Sequence, residues 1–195
     1  MIYTVFTGDF LHEIITPRLS LRLMNEDFLE ATLKADAAKT ESLIGLKISP
    51  DWFDEVDLSR VRLEDYRADA GYLPYGLRAV GLRESNEMIG FIGFHTSPNP
   101  EYLQKYAPHA IEIGYTIFVP FRRCGFAREA VVGMFDWAAR QYPVGTFIAS
   151  VSPTNLPSTA MIKKMNFEKI GEQMDEVDGL EFVYALAVTK MNFLQ

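Results

Sequence analysis

The sequence predicts a mixed α/β fold of the α+β type: a largely antiparallel, twisted sheet with flanking helices. Three observations carry this. Strand-like runs of β-branched and aromatic residues cluster early and late in the chain. Turn signals join them in pairs at Ser85-Asn86 and Asp178-Gly179. Amphipathic helical patterns occur in the second half, between strands, without the regular alternation of a parallel sheet. The length of 195 residues fits one domain spanning 1–195, and 48% hydrophobic with 23% charged residues excludes a disordered or collagen-like chain.

Each element follows from its own residues. Residues 14–23 (IITPRLSLRL) alternate apolar and polar after Pro17 and read as a strand. Asn25-Glu-Asp offers caps for a helix over 28–38. Residues 40–71, with Pro50, Trp52 and many acids, read as short helices and loops. Strands over 75–83 and 87–95 flank Ser85-Asn86 as a hairpin. Three prolines make 97–109 a loop, and 111–119 is a buried strand that Pro120 ends. A helix over 127–140 places Ala127, Ala130, Val131, Met134 and Ala138 on one face. Residues 146–151 form a strand and 155–164 a short helix; strands over 167–174 and 180–188 close the chain as a second hairpin.

The net charge of −7 disfavours general binding to nucleic acid. A single cysteine, Cys124, excludes an internal disulfide and a Cys-rich zinc site, and fits a reducing cytoplasmic setting. Residues 1–15 lack the basic start of a signal peptide, and the longest apolar run is far short of the ~20 residues a membrane span needs. His12, His95 and His109 have no metal-ligand spacing, so no metal is expected.

The most informative stretch is V-P-F-R-R-C-G-F-A-R-E, residues 119–129. A strand ends, a loop containing Gly125 follows, and an amphipathic helix begins. Helix N-termini present unpaired N–H groups and partial positive charge to phosphate. Gly125 permits close backbone approach or positive φ. Arg122, Arg123 and Arg128 set three positive charges in seven residues. A phosphate cradle and a solvated turn are both open readings of this spacing. Neither a Walker A sequence nor a dinucleotide fingerprint is present.

Residues 122–127 (R-R-C-G-F-A) resemble the R/Q-x-x-G-x-G/A coenzyme A loop of the GNAT superfamily of acetyl-CoA-dependent N-acetyltransferases. Residues 111–115 (I-E-I-G-Y) resemble the E-x-G-Y strand of its Rim-type branch, which includes ribosomal-protein N-terminal acetyltransferases. Residues 16–22 (T-P-R-L-S-L-R) resemble that branch's opening strand. Asn155, Ser158 and the M-N-F at 165–167 resemble its N-x-x-S helix and closing L-G-F. Two departures stand out: Arg123 and Asn166 occupy positions where relatives carry glycine. Ile162 stands seven positions after Asn155, so a tyrosine acid is excluded there.

The resemblance implies acetyl transfer from acetyl-CoA, as cosubstrate, to a primary amine by direct attack in a ternary complex. It implies Glu112 as base, with burial raising its pKa toward a useful value; a structural acid pairing with an arginine or an amide is the other reading. It implies Ser158 as a proton relay near the coenzyme A sulfur, against a helix hydroxyl bonding its own backbone. Asn155 would contact the pantetheine arm, cap its helix, or both. Backbone groups of Ile117, Phe118 and Val119 would bond the pantetheine amides. The amides of Arg123, Cys124, Gly125, Phe126 and Ala127 would cradle pyrophosphate beside Arg122. The acceptor would be a protein N-terminus or a small amine. Outside the resembling motifs, Asp51, Asp54, Glu55 and Asp57, with Trp52 and Phe53 among them, read as a lure for a cationic amine or as a solvated acidic loop. Tyr102 and Tyr106 would border the acceptor, and His95 reads as a pocket residue or a structural one. A homodimer fits the family and the apolar C-terminal hairpin. A catalytically silent acyl-CoA-binding sensor or interaction domain would use the same loop.

Overall fold

The computed structural model describes residues 13–175 and 179–193. The expected Asp178 turn position, His12 and nearly all of the N-terminal 1–15 stretch lie outside them. The strands are β1 (Ile14–Ile15), β2 (Leu19–Leu23), β3 (Arg78–Leu82), β4 (Glu87–Phe94), β5 (Ala110–Ile117), β6 (Thr146–Val151), β7 (Glu168–Asp175) and β8 (Gly179–Ala187). The helices are α1 (Glu26–Leu33), α2 (Ala37–Ile44), α3 (Val56–Ala68), α4 (Glu101–Gln104), α5 (Phe126–Gln141) and α6 (Leu156–Lys164). Hydrogen-bonded strand order is β1-β2-β3-β4-β5-β6-β8-β7, with β5–β6 parallel and β1–β2, β2–β3, β3–β4, β6–β8 and β7–β8 antiparallel. This is the mixed, largely antiparallel sheet that the sequence predicts.

The chain forms two compact units, with β5 and α5 each continuing from one to the other. The first unit holds 13–94 and Tyr115–Met134. Its core is an aromatic chain: the Phe28 and Trp52 rings lie 5.8 Å apart, Trp52 and Phe91 5.5 Å, Phe91 and Phe118 6.3 Å. Trp52 is fully buried, and its Nε1 donates to Thr32 Oγ1 at 2.8 Å. It is a core residue, so it does not border an acceptor. The second unit holds His95–Gly114 and the chain from Phe135 onward. Phe135 stacks on Phe147 at 3.8 Å, and Leu103 of α4 packs on Ala110, Ile148 and Val183.

Four expectations need correction. The 14–23 strand is instead a tight hairpin: Ile14 pairs with Leu21 and Ile15 with Ser20 around Pro17-Arg18. Thr16 closes it, its Oγ1 accepting from Leu19 N at 3.0 Å. The 28–38 helix splits after Leu33, because Ala35 takes positive φ (51°) and Asp36 caps α2 by accepting from Lys39 N. The 13-residue α3 is longer than the short helices expected within 40–71. Its buried stripe is thin, limited to Ser59, Leu63 and Tyr66. The 97–109 loop contains the single-turn helix α4.

Candidate functional site

In the first unit, β5 leads through a 3-10 turn at Val119–Phe121 into the loop that opens α5. Arg123 (φ 63°) and Gly125 (φ 82°) both adopt left-handed backbone, bracketing Cys124. Anion-binding nests are built from successive backbone N–H groups in turn conformations that include such left-handed residues. The first amides of α5 lack intrahelical partners by position. Arg122, Arg123, Cys124, Gly125 and Arg128 are exposed, whereas Phe126 is buried and Ala127 half-buried. The left-handed Arg123 stands where the resemblance expects glycine. Asn166, the other departure, is also left-handed (φ 64°).

A residue to which sequence reasoning gave no role, Arg18, braces this loop. Its Nε donates to Glu129 Oε2 at 2.7 Å, its Nη1 to the Cys124 carbonyl at 3.0 Å, and its guanidinium lies 4.5 Å over the Phe126 ring. Glu129 Oε1 also accepts from Thr16 Oγ1 at 2.6 Å and Arg18 N at 2.8 Å. Burial would raise the Glu129 pKa. The hydrogen bonds from Thr16 and Arg18, with the Arg18 charge, overcome that and hold it below the usual carboxylate range. The T-P-R-L motif was visible, but only the fold shows what it grips.

At the strand end, several backbone groups already have partners. Phe118 N donates to Ile89 O (2.9 Å), Phe118 O accepts from Phe121 N (2.9 Å), and Ile117 O accepts from Arg122 Nε (2.7 Å). Each carbonyl retains a second lone pair. Val119 is 70% exposed, an apolar side chain beside the loop.

In the second unit, β5 pairs with β6 over Ala110–Glu112. Glu112 is 2% exposed. Its Oε2 accepts from Tyr102 OH at 2.8 Å and lies 3.6 Å from His95 Nδ1. Its Oε1 accepts a short hydrogen bond from Ser150 Oγ. Ser150 Oγ in turn accepts from Gln173 Nε2 (3.1 Å), which also donates to Glu181 (3.1 Å). Burial pushes the Glu112 pKa up, as expected from sequence. His95 beside the carboxylate, then the hydrogen bonds from Ser150 and Tyr102, outweigh burial and leave it lowered. The expected upward shift is therefore corrected. The His95 contact is at ion-pair rather than hydrogen-bond distance.

The sequence singled out Glu112 but not Ser150 or Gln173; a polar residue two positions after Ile148 on a strand was the available signal. Asn155 caps α6, its Oδ1 accepting from Ser158 N at 3.2 Å, and Ser158 is half-buried. Leu156, next to the cap, is 70% exposed. Among the described residues no cluster of His, Cys, Asp or Glu is placed to hold a metal, and no helix is long and apolar enough to cross a membrane.

Comparison with known proteins bears on these strands and loops. Residues 18–168 match the acetyltransferase (GNAT) domain family. The chain belongs to the GNAT acetyltransferases. This meets the expectation of an acetyl-CoA-dependent N-acetyltransferase at the level of the family. The GNAT chain is 26% identical over 92 residues to the uncharacterized N-acetyltransferase YnaD of Bacillus subtilis (strain 168), covering 47% of this chain and 49% of that protein. It thus spans about half the length of that relative. With the uncharacterized N-acetyltransferase YjdG of the same organism it shares 24% identity over 157 residues, 78% of this chain and 87% of the other. Its fold is similar to that of the ribosomal-protein-S5-alanine acetyltransferase of Vibrio fischeri, with TM-score 0.60 and 16% identity, over 90% of this chain and 96% of that one.

Proposed function

We propose that this protein transfers the acetyl group of acetyl-CoA to a primary amine, by direct attack of the amine on the thioester in a ternary complex. The observation that carries the reading is the loop at 122–127: two left-handed residues bracket Cys124 where a strand hands over to α5, among three exposed arginines. The amides of Arg123, Cys124, Gly125, Phe126 and Ala127 cradle the pyrophosphate, and the Arg122 guanidinium adds charge. Val119 and the second lone pairs of Ile117 and Phe118 bond the pantetheine amides as an added strand would. Asn155 meets the same arm through its amide N–H, since its oxygen serves as the helix cap. Ser158 gives a proton to the departing thiolate. The Glu112 cluster takes the proton from the ammonium, which has no lone pair until it is removed.

The acceptor is a protein N-terminus or a small amine. The name of the Vibrio fischeri neighbour supports the first, as does resemblance to the Rim-type branch. We place the chain in the cytoplasm, acting as a single catalytic domain. Exposed Ile170, Met174 and Leu180 on β7 and β8 support a homodimer.

Thermal unfolding with and without acetyl-CoA, alongside free CoA, tests the reading. A ligand binding only the folded state raises stability by about 2.7 kcal/mol at a hundredfold excess over Kd. Stabilisation by both ligands, followed by multiple turnover with an amine, is expected. No stabilisation by either refutes the coenzyme site, and stabilisation without turnover favours a silent acyl-CoA-binding domain.

A further inference from the structure

We infer that His95 is the member of the Glu112 cluster that meets the amine and takes its proton, with Glu112 as the residue that positions it; this rests on the acetyl-transfer reading above. Glu112 meets His95 at two places. Its carbonyl accepts from His95 N at 2.9 Å, which fixes the backbone just beyond β4, and its Oε2 lies 3.6 Å from Nδ1. The other ring nitrogen lies over Gly114: a Cβ built there would sit 2.6 Å from Nε2. The E-x-G of β5 thereby gains a physical reason, the acid orienting the imidazole and the glycine leaving room for it. The His95 side chain is 42% exposed and that of Glu112 3%.

Chemistry favours the same division of labour. Glu112 already accepts from Tyr102 and Ser150, and its pKa is lowered, so it is a weak and enclosed base. Imidazole is the side chain that ordinarily changes charge near neutral pH. A carboxylate at Nδ1 favours the tautomer with its proton on Nδ1 and the lone pair on Nε2. The ammonium gives one proton to Nε2. The freed amine forms a C–N bond to the thioester carbonyl carbon, the C–S bond breaks, and the second amine proton ends on the coenzyme A sulfur. His95 then returns its proton to solvent. Among the described residues, Glu112 on β5, Tyr102 on α4 and, through Gln173, Glu181 on β8 are titratable groups of this cluster.

Two measurements on the full chain test this. Imidazole nitrogen shifts from 15N NMR above neutral pH are expected to show His95 protonated on Nδ1 in the wild type, with that preference lost in Glu112→Gln. A wild-type ring protonated mainly on Nε2 overturns the proposal. The second is turnover of acetyl-CoA with spermidine and with an alanine-starting peptide. His95→Gln is expected to lower kcat by about a hundredfold or more, with KM for acetyl-CoA unchanged and the acid limb of the pH profile lost. Unchanged kcat with an unchanged limb overturns it. Gly114→Ala, which displaces the ring while keeping it, is expected to lower kcat in the same way. Where neither amine turns over, the tautomer decides. Thermal stabilisation by acetyl-CoA in His95→Gln keeps the coenzyme reading separate: its presence beside an unchanged kcat refutes only the role of His95, and its absence from the wild type refutes acetyl transfer itself.

Discussion

Replacing Arg18 with alanine removes three contacts at one stroke: the Glu129 ion pair, the hydrogen bond to the Cys124 carbonyl, and the cation over the Phe126 ring. The side chain is 47% exposed, so the ion pair is worth about 0.5 kcal/mol after screening. The charged hydrogen bond and the ring contact add about 1 kcal/mol together in this wet setting. Glu129 keeps Thr16 Oγ1 and the Arg18 amide, which limits the cost of orphaning it. The expected loss is about 1–2 kcal/mol, or roughly 3–6 °C in Tm for a chain of this size. The loop loses the brace on its Cys124 carbonyl, so acetyl-CoA affinity should fall about fivefold or more, although Arg18 is given no contact with the ligand. Thermal unfolding and calorimetric titration of Arg18→Ala and Arg18→Lys measure both effects. Lysine keeps the charge without the planar fork and should recover only part of either loss. A normal Kd beside a lowered Tm would mean that the brace serves the fold and not the loop. Normal values of both would refute the reasoning entirely.

Further outcomes are expected from other sites. Arg123→Gly relieves a left-handed backbone and should raise Tm by about 2–4 °C, from about 1 kcal/mol, while acetyl-CoA binding weakens a few-fold through the lost charge; a lower Tm would contradict the strain. Because the pKa of Glu112 is lowered on folding, its contribution is complete above the unfolded glutamate value of ~4.3 and is lost as pH falls through the lower folded value. Tm of the wild type should therefore drop below about pH 4.3 more steeply than that of Glu112→Gln, and parallel acid profiles would refute the shift. Gly90→Ala would place a Cβ 2.1 Å from the Thr116 carbonyl and 2.9 Å from Ile117 Cα. The backbone of β5 cannot yield cheaply there, so a loss of about 3 kcal/mol is expected by denaturant unfolding, and a loss under about 0.5 kcal/mol would refute the close approach.

Local signals were readable wherever the deciding interaction is local. The hairpin at Ser85-Asn86, the strand over 146–151 and the cap at Asn155 all declare themselves within a few residues, and each stands where the sequence puts it. The break between α1 and α2 did not, because an alanine takes the left-handed position usually marked by glycine or asparagine. The α3 helix was masked by charges that pair along its surface, such as Arg60 with Asp57 and Arg62 with Asp65. In the candidate site, Glu112 and the 122–127 loop were visible as motifs. The direction of the Glu112 shift was not, because its donors arrive from Tyr102, ten positions away, and Ser150, thirty-eight away, and the His95 ring beside it comes from the end of β4. Burial is legible in a strand pattern; the donors that reverse its effect are set by strand register.

The hairpin turn at Thr16–Arg18 also has a consequence for how the protein is made. Its carbonyls accept from Arg83, and its side chains reach Glu129 across 111 to 113 positions of sequence. Helix α5 can form as soon as its own residues leave the ribosome, yet the loop in front of it stays unbraced until the chain closes that long circuit. Contacts of such separation form late, since loop entropy must be overcome first. The final shape of the 122–127 loop is therefore set late in folding, and a fragment beginning after Arg18 would carry the whole R-R-C-G-F-A sequence without the brace on its Cys124 carbonyl.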